Sequence, residues 1–109
     1  MEDLKGTSVN ITDLIKIQEG AVISREILKK KTGTVTLFAF DAGQGLSEHT
    51  APFDAIVYCL EGEAEITISG NPLLIKSKEM VIMPADKPHS LKALKPFKML
   101  LIMIRDMPA

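Results

Sequence analysis

The sequence predicts a single all-β domain, a closed sandwich or barrel of short strands. Seven short runs rich in Val, Ile, Leu and Phe follow one another, and turn residues such as Gly, Pro and Asn separate them. No strong helical pattern and no repeat of about 20–50 residues accompanies them, which disfavours a βαβ fold or a repeat array. The runs are Ala21–Leu28, Thr34–Asp41, Ala55–Glu61, Ala64–Ile68, Leu73–Lys76, Val81–Met83 and Lys98–Ile104.

The segment before the first run fits two structures. Ile11, Leu14, Ile15 and Ile17 are spaced for one helical turn or for a short strand laid over a sheet edge, and periodicity does not distinguish the two. We therefore divide the chain into an N-terminal arm, residues 1–19, and a barrel domain, residues 20–109.

Apolar faces on two of the runs predict a partner subunit. Ala64–Ile68 alternates apolar and polar residues, as a strand with one wet face does. The run Lys98–Ile104 is instead apolar on both faces from Met99 onward, and Phe38 and Phe40 share one face of an earlier run. Leaving these faces in water would expose a larger apolar patch than monomers usually carry, so we expect a two-fold homodimer.

Composition and charge exclude several partner classes. The 109 residues suffice for one domain, and a net charge of -1 gives no field that would attract nucleic acid or an acidic membrane. A single cysteine fits a reducing compartment, no apolar stretch approaches the ~20 residues that span a bilayer, and the first residues lack the features of a secretion signal. We expect a cytoplasmic protein that binds neither nucleic acid nor membrane.

Two framed stretches carry a family resemblance. The first runs from Gly43 to Gly62 and contains His49, and the second runs from Lys78 to Ala93 through the loop Pro84-Ala85-Asp86-Lys87-Pro88-His89. Together with the strand pattern, which covers residues ~20–104, they resemble the cupin superfamily, whose motifs read G-x5-H-x-H-x3-4-E-x6-G and G-x5-P-x-G-x2-H-x3-N. The resemblance implies a double-stranded β-helix, or jelly-roll, barrel with a short N-terminal segment.

The resemblance assigns His49 and His89 to metal-ligand positions and finds two other ligands missing. Ala51 stands where cupins carry a second histidine, and Ala55 stands where they carry a glutamate. Cupins with the full set bind iron, manganese, nickel, zinc or copper and act as dioxygenases, decarboxylases or isomerases. Two imidazoles hold such an ion weakly. We therefore expect either no cofactor or a weakly bound divalent transition metal. Asp54 reaches the interior only if a β-bulge shifts the register.

The two histidines support three functions. We favour binding of a small molecule, in a sensor or carrier role, with His49 and His89 as polar anchors on one cavity; Cys59, on the same strand face as Ala55, is a further candidate. The alternatives are a metal-dependent enzyme with an incomplete site and an interaction module with a vestigial pocket. A cavity below ~300 Å³ would favour the interaction module. The sequence supplies no nucleophile with its own base.

The methionines have two interpretations. Met80, Met83, Met99 and Met103 lie in the predicted strands and are expected to fill the core. Their flexible thioethers would also suit a pocket that adapts to apolar ligands.

Overall fold

The computed structural model describes residues 4–106, which form nine strands and one short 3-10 helix, Ile11–Leu14. The strands are β1 (Val22–Lys30), β2 (Gly33–Phe40), β3 (Gly45–His49), β4 (Asp54–Glu61), β5 (Glu63–Ile68), β6 (Asn71–Lys76), β7 (Met80–Met83), β8 (His89–Ala93) and β9 (Phe97–Ile104).

The strands form two sheets that face each other. One has five strands in the order β1-β2-β9-β4-β7, the other has four in the order β3-β8-β5-β6, and every neighbouring pair is antiparallel. Antiparallel sheets with one apolar face each bury those faces against one another. The all-β prediction is confirmed.

Two of the nine strands, β3 and β8, were not predicted from the apolar runs. β3 carries Ser47, Glu48 and His49, and β8 alternates Ser90 and Lys92 with apolar residues. Their outward residues are polar and they are only five residues long, so a search for apolar runs passes over them. These two strands carry the histidines.

The main core lies between the sheets and corrects one expectation. Phe40 is fully buried in it together with Phe97, and Phe38 packs against the same cluster from the β2 side. The prediction that Phe38 and Phe40 need a partner subunit to cover them was wrong. Alternation shows that two side chains share a face, but it does not show which face is inner.

The N-terminal arm covers part of the outer face of the five-stranded sheet. The 3-10 helix begins at Ile11 and is capped by Asn10, whose side chain accepts a hydrogen bond from the Thr12 amide, and the chain continues extended after Leu14. Ile15 is buried against Leu37 and Ala39, which form a second, smaller core with it. Two cations hold the backbone of the arm: Lys98 Nζ donates to the Thr12 carbonyl over 2.9 Å, and Arg25 donates to the Leu14 carbonyl over 3.1 Å.

Beyond the arm, an apolar row crosses all five strands of the outer face. Register places its members side by side, one from each strand: Leu28, Val35, Ile102, Ile56 and Ile82. The two ends are the most exposed, with Leu28 at 39% and Ile82 at 55%. We name these five residues the apolar row.

No helix within residues 4–106 is long and apolar enough to span a membrane.

Candidate functional site

Two histidines 40 residues apart in the sequence meet at the junction of β3 and β8. The register of the β3–β8 pair shifts at a bulge between Leu46 and His49, and beyond the bulge His49 lies directly opposite His89. The two Nε2 atoms are 3.1 Å apart, and the rings meet edge to face with centroids 4.4 Å apart. The two imidazoles therefore form one continuous polar surface.

Backbone carbonyls fix the tautomer of both rings. His49 Nδ1 lies 2.8 Å from the Ser47 carbonyl oxygen, and His89 Nδ1 lies 3.1 Å from the Lys87 carbonyl oxygen. A carbonyl only accepts, so each Nδ1 is the protonated donor and each neutral ring carries its lone pair on Nε2. Two lone pairs thus face each other at 3.1 Å. That contact becomes favourable when a proton, a cation or a donor group is shared between them.

The two rings differ in their exposure to solvent. His89 is 8% exposed, whereas His49 is exposed at the cavity mouth. Burial lowers the pKa of His89; the bond to the Lys87 carbonyl works in the opposite direction, and charge on His49 lowers the pKa further. His89 therefore stays neutral more readily than a free histidine.

The histidines line a small apolar cavity between the sheets. Its volume is about 50 Å³. The remaining lining is almost wholly apolar: Leu46, Ala51, Phe53, Ala55, Val57, Met83, Ser90, Leu91, Met99, Leu101 and Met103. The volume is below the ~300 Å³ typical of pockets for drug-sized ligands and leaves room for about two water molecules. By the size criterion stated above, this volume favours the interaction module with a vestigial pocket, and any ligand of the cavity in this conformation is limited to an ion or a molecule of a few atoms.

The positions that would complete a divalent metal site supply no donor. Ala51 and Ala55 both line the cavity, as the motif alignment implied, but a methyl group coordinates nothing. Asp54 is exposed, and its Oδ1 accepts a hydrogen bond from the Ala85 amide over 2.9 Å. Glu48 is likewise exposed and does not line the cavity. Within residues 4–106 no three His, Cys, Asp or Glu side chains are grouped to hold an ion, so the four-ligand centre of the full motif does not fit.

Cys59 lies apart from the histidines. It shares the inner face of β4 with Ala55, as alternation predicted, but it is fully buried and does not line the cavity. Its thiol lies 3.6 Å from the carbonyl oxygens of Glu61 and Gly62. Burial, followed by the negative charge of Glu79, raises the pKa of Cys59 to about 11. The structure thus brings together His49 and His89 but not Cys59.

Two methionines stand beside the alanine that replaces the glutamate. Ala55 is paired with Met83 of β7 on one side and with Met103 of β9 on the other, and both methionines line the cavity. The sequence placed them in strands and left open whether they fill the core or line a pocket. The sequence does not show that the two methionines are neighbours of Ala55, because β7 and β9 come to flank β4 only in the folded sheet.

Comparison with known proteins identifies the fold. Residues 36–104 match the family model described as the cupin domain. A conserved protein of unknown function from Streptococcus pyogenes is 31% identical, with 94% of this chain and 90% of that chain aligned at a TM-score of 0.90. A cupin superfamily protein from Desulfitobacterium hafniense is 27% identical, with 94% of each chain aligned at a TM-score of 0.88.

A third structure is longer than this chain. It is a cupin 2 conserved barrel domain protein from Leptotrichia buccalis, 34% identical at a TM-score of 0.87, with 89% of this chain aligned to 47% of that one. No curated protein matches the sequence.

Proposed function

Because this chain belongs to the cupin family, whose barrel encloses a cavity, we propose that it binds a small ligand there, anchored on His49 and His89, in a sensor or carrier role. One observation carries the proposal: two histidines from different strands present their Nε2 atoms 3.1 Å apart at the wall of a cavity. The chain has only two histidines, so this arrangement uses them both.

Cavity size and lining define the ligand. A volume of about 50 Å³ admits a ligand of a few non-hydrogen atoms, and the apolar walls favour a short hydrocarbon part. The polar end of the ligand would contact the imidazole pair, which attracts a carboxylate once it carries a proton. Small monocarboxylates are therefore suitable probes.

A metal-dependent enzyme of the dioxygenase, decarboxylase or isomerase type is less well supported. Such chemistry needs an ion fixed by three or four protein ligands with an open position for substrate. The described lining offers two imidazoles and no carboxylate. The third function, an interaction module with a vestigial pocket, is supported by the small size of the cavity. Such a module would use the apolar row, and the loss of histidine-dependent ligand binding in the screen below would favour it.

A thermal-melt screen tests the proposal. The probes are monocarboxylates of one to four carbon atoms, with their neutral amides to separate charge from shape. A ligand at about a hundred times its Kd stabilises the fold by about 2.7 kcal/mol, which raises Tm by roughly 10–20 °C in a domain of this size. We expect His49→Ala and His89→Ala each to remove the shift.

Lys92→Ala is the matched control, because Lys92 is exposed on β8 three residues from His89. It should keep the full shift. A shift that survives in both histidine variants, or the lack of any shift across the panel, would overturn the proposed anchoring.

A further inference from the structure

The cavity contains sulfur donors next to the imidazole pair. Met83 and Met103 flank Ala55 across β4, and both line the same cavity as His49 and His89. Met83 is 7% exposed and Met103 is half-buried. A thioether is a weak hydrogen-bond acceptor but a good ligand for soft metal ions, and its three rotatable bonds let the sulfur adjust to an ion.

The distance between the imidazole nitrogens suits one shared ion. With metal–nitrogen bonds of the length found for zinc, about 2.0–2.1 Å, a separation of 3.1 Å corresponds to a nitrogen–metal–nitrogen angle of about 100°. That angle is close to the tetrahedral value. The carbonyls of Ser47 and Lys87 hold the Nδ1 atoms, so both lone pairs lie on the Nε2 atoms, which are 3.1 Å apart.

Charge decides which class of ion the donors would accept. No side chain that lines the cavity is an acid, a lysine or an arginine, and the two histidines bind a metal in their neutral form. The cost of placing an ion in an apolar environment rises with the square of its charge, so a divalent ion without a carboxylate costs about four times as much as a monovalent one. A neutral lining with two imidazoles and three thioethers, those of Met83, Met99 and Met103, therefore favours a soft monovalent ion.

We propose that this cavity binds a soft monovalent metal ion, of the class of cuprous copper and silver, between His49 Nε2, His89 Nε2 and the thioethers of Met83 and Met103. The inference rests on the histidine anchoring in the proposed function and gives the same site a metal ligand set of its own. Ala55 is part of the arrangement, because it lies between the two methionines in the sheet and its methyl group lines the same cavity.

Silver ion is the probe, since it does not change oxidation state and thus needs no reductant. Binding is measured by calorimetry in a chloride-free, thiol-free buffer, with zinc ion as the divalent comparison. We expect one silver ion per chain and far weaker zinc binding. Met83→Leu and Met103→Leu preserve volume, so the fold should persist; each should weaken silver binding by at least about tenfold, as loss of a metal-site group does.

Met80→Leu is the matched control. Met80 lies three residues before Met83 on the same strand, but it is 57% exposed and does not line the cavity. Its replacement should leave silver affinity unchanged. As a second readout in the unmodified protein, added silver should shift the NMR signals of the Met83 and Met103 methyl groups and both imidazoles while leaving Met80 in place.

Specific outcomes would overturn this inference. Zinc binding as tight as silver binding, or methionine variants with full silver affinity, would show that the thioethers do not select the ion. If silver fails to bind but the histidine-dependent response to monocarboxylates persists, only the soft-metal site is wrong. If both fail, the histidine pair is not a binding site at all.

Discussion

The burial of His89 determines how this residue makes the stability of the fold depend on acid. A free histidine titrates near pH ~6.5, and burial lowers the pKa of His89 in the folded chain. The unfolded state therefore binds more protons than the folded state as acid is added. The contribution of His89 to stability is complete above pH ~6.5 and is lost as the pH falls through the lower folded value.

We expect the free energy of unfolding to fall as the pH is lowered from about 7 through the folded pKa of His89, more steeply in the unmodified protein than in His89→Gln. Urea titrations at several pH values measure it, and Lys92→Ala provides a control of unchanged slope. Equal slopes in the unmodified protein and His89→Gln would show that His89 is no more buried when folded than when unfolded.

The two alanines at ligand positions predict a gain of divalent metal binding. Ala51 and Ala55 line the cavity beside the histidines, so Ala51→His together with Ala55→Glu would add an imidazole and a compensating negative charge. Zinc affinity should rise by more than the about 10–100-fold that a supporting residue contributes to a metal site. Competition with a chromogenic chelator measures the affinity. A double variant that binds zinc no better than the parent would place these side chains out of reach of the imidazoles.

Sequence patterns located some site residues and not others. His49 and His89 stand at recognisable motif positions, so the sequence alone pairs them. Alternation assigned Cys59 to the correct face of β4. It does not show how far along the strand the cavity extends, and the Cys59 thiol lies away from the cavity. Met83 and Met103 needed the strand order, which depends on contacts between distant parts of the chain.

At the level of elements, the close approach of β3 and β8 positions the histidines. Gly45 faces β8 so tightly that an added Cβ would overlap the Leu91 carbonyl oxygen. Gly45→Ala should push the strands apart and destabilise the fold by about 1–3 kcal/mol, the usual cost of overpacking. It should also weaken histidine-dependent ligand binding, because His49 follows on the same strand.

Chemical denaturation and the ligand screen measure these two effects. Gly70→Ala is the control for the general effect of a methyl group at a glycine, since nothing lies within 4 Å of a Cβ there. Gly70 has a positive φ of 81°, so some strain is expected in the control, but ligand binding should be unaffected. Full ligand binding in Gly45→Ala would separate the strand contact from the site.

The apolar strands were predictable from sequence and the polar ones were not. Runs such as Ala55–Glu61 and Lys98–Ile104 correspond to β4 and β9 within a residue. β3 and β8 have short, mixed sequences whose strand conformation depends on pairing with each other and with β5. The arm was ambiguous because four apolar residues satisfy either period, and the structure combines a 3-10 turn with an extended segment.

For the molecule as a whole, the apolar row supports a two-fold homodimer, which remains our proposal. Ile102 lies on the central strand with two row members on each side, so a two-fold axis parallel to β9 would lay the row on its own copy. Leu28 of one subunit would then meet Ile82 of its partner. A shallow groove of about 290 Å³ lined by Leu28, Val35 and Ile102 provides the space.

Sedimentation tests the assembly. The unmodified protein should sediment at about twice 11.9 kDa, and Ile102→Glu should sediment as a monomer, because a buried unpaired charge opposes association. Leu74→Glu, at a residue 48% exposed on the four-stranded sheet, should remain dimeric. A stable monomer of the unmodified chain at micromolar concentration would show that the arm alone covers enough of the outer face.

β9 separates the cavity from the outer face by the thickness of one backbone. Leu101 and Met103 line the cavity, while Leu100 and Ile102 point the other way. Movement of Met103 toward a ligand would therefore displace the backbone that carries Ile102. If occupancy favours association, thermodynamic linkage requires association to strengthen binding by the same factor. The abundance of the protein would then set its ligand affinity, with dilution alone releasing the ligand.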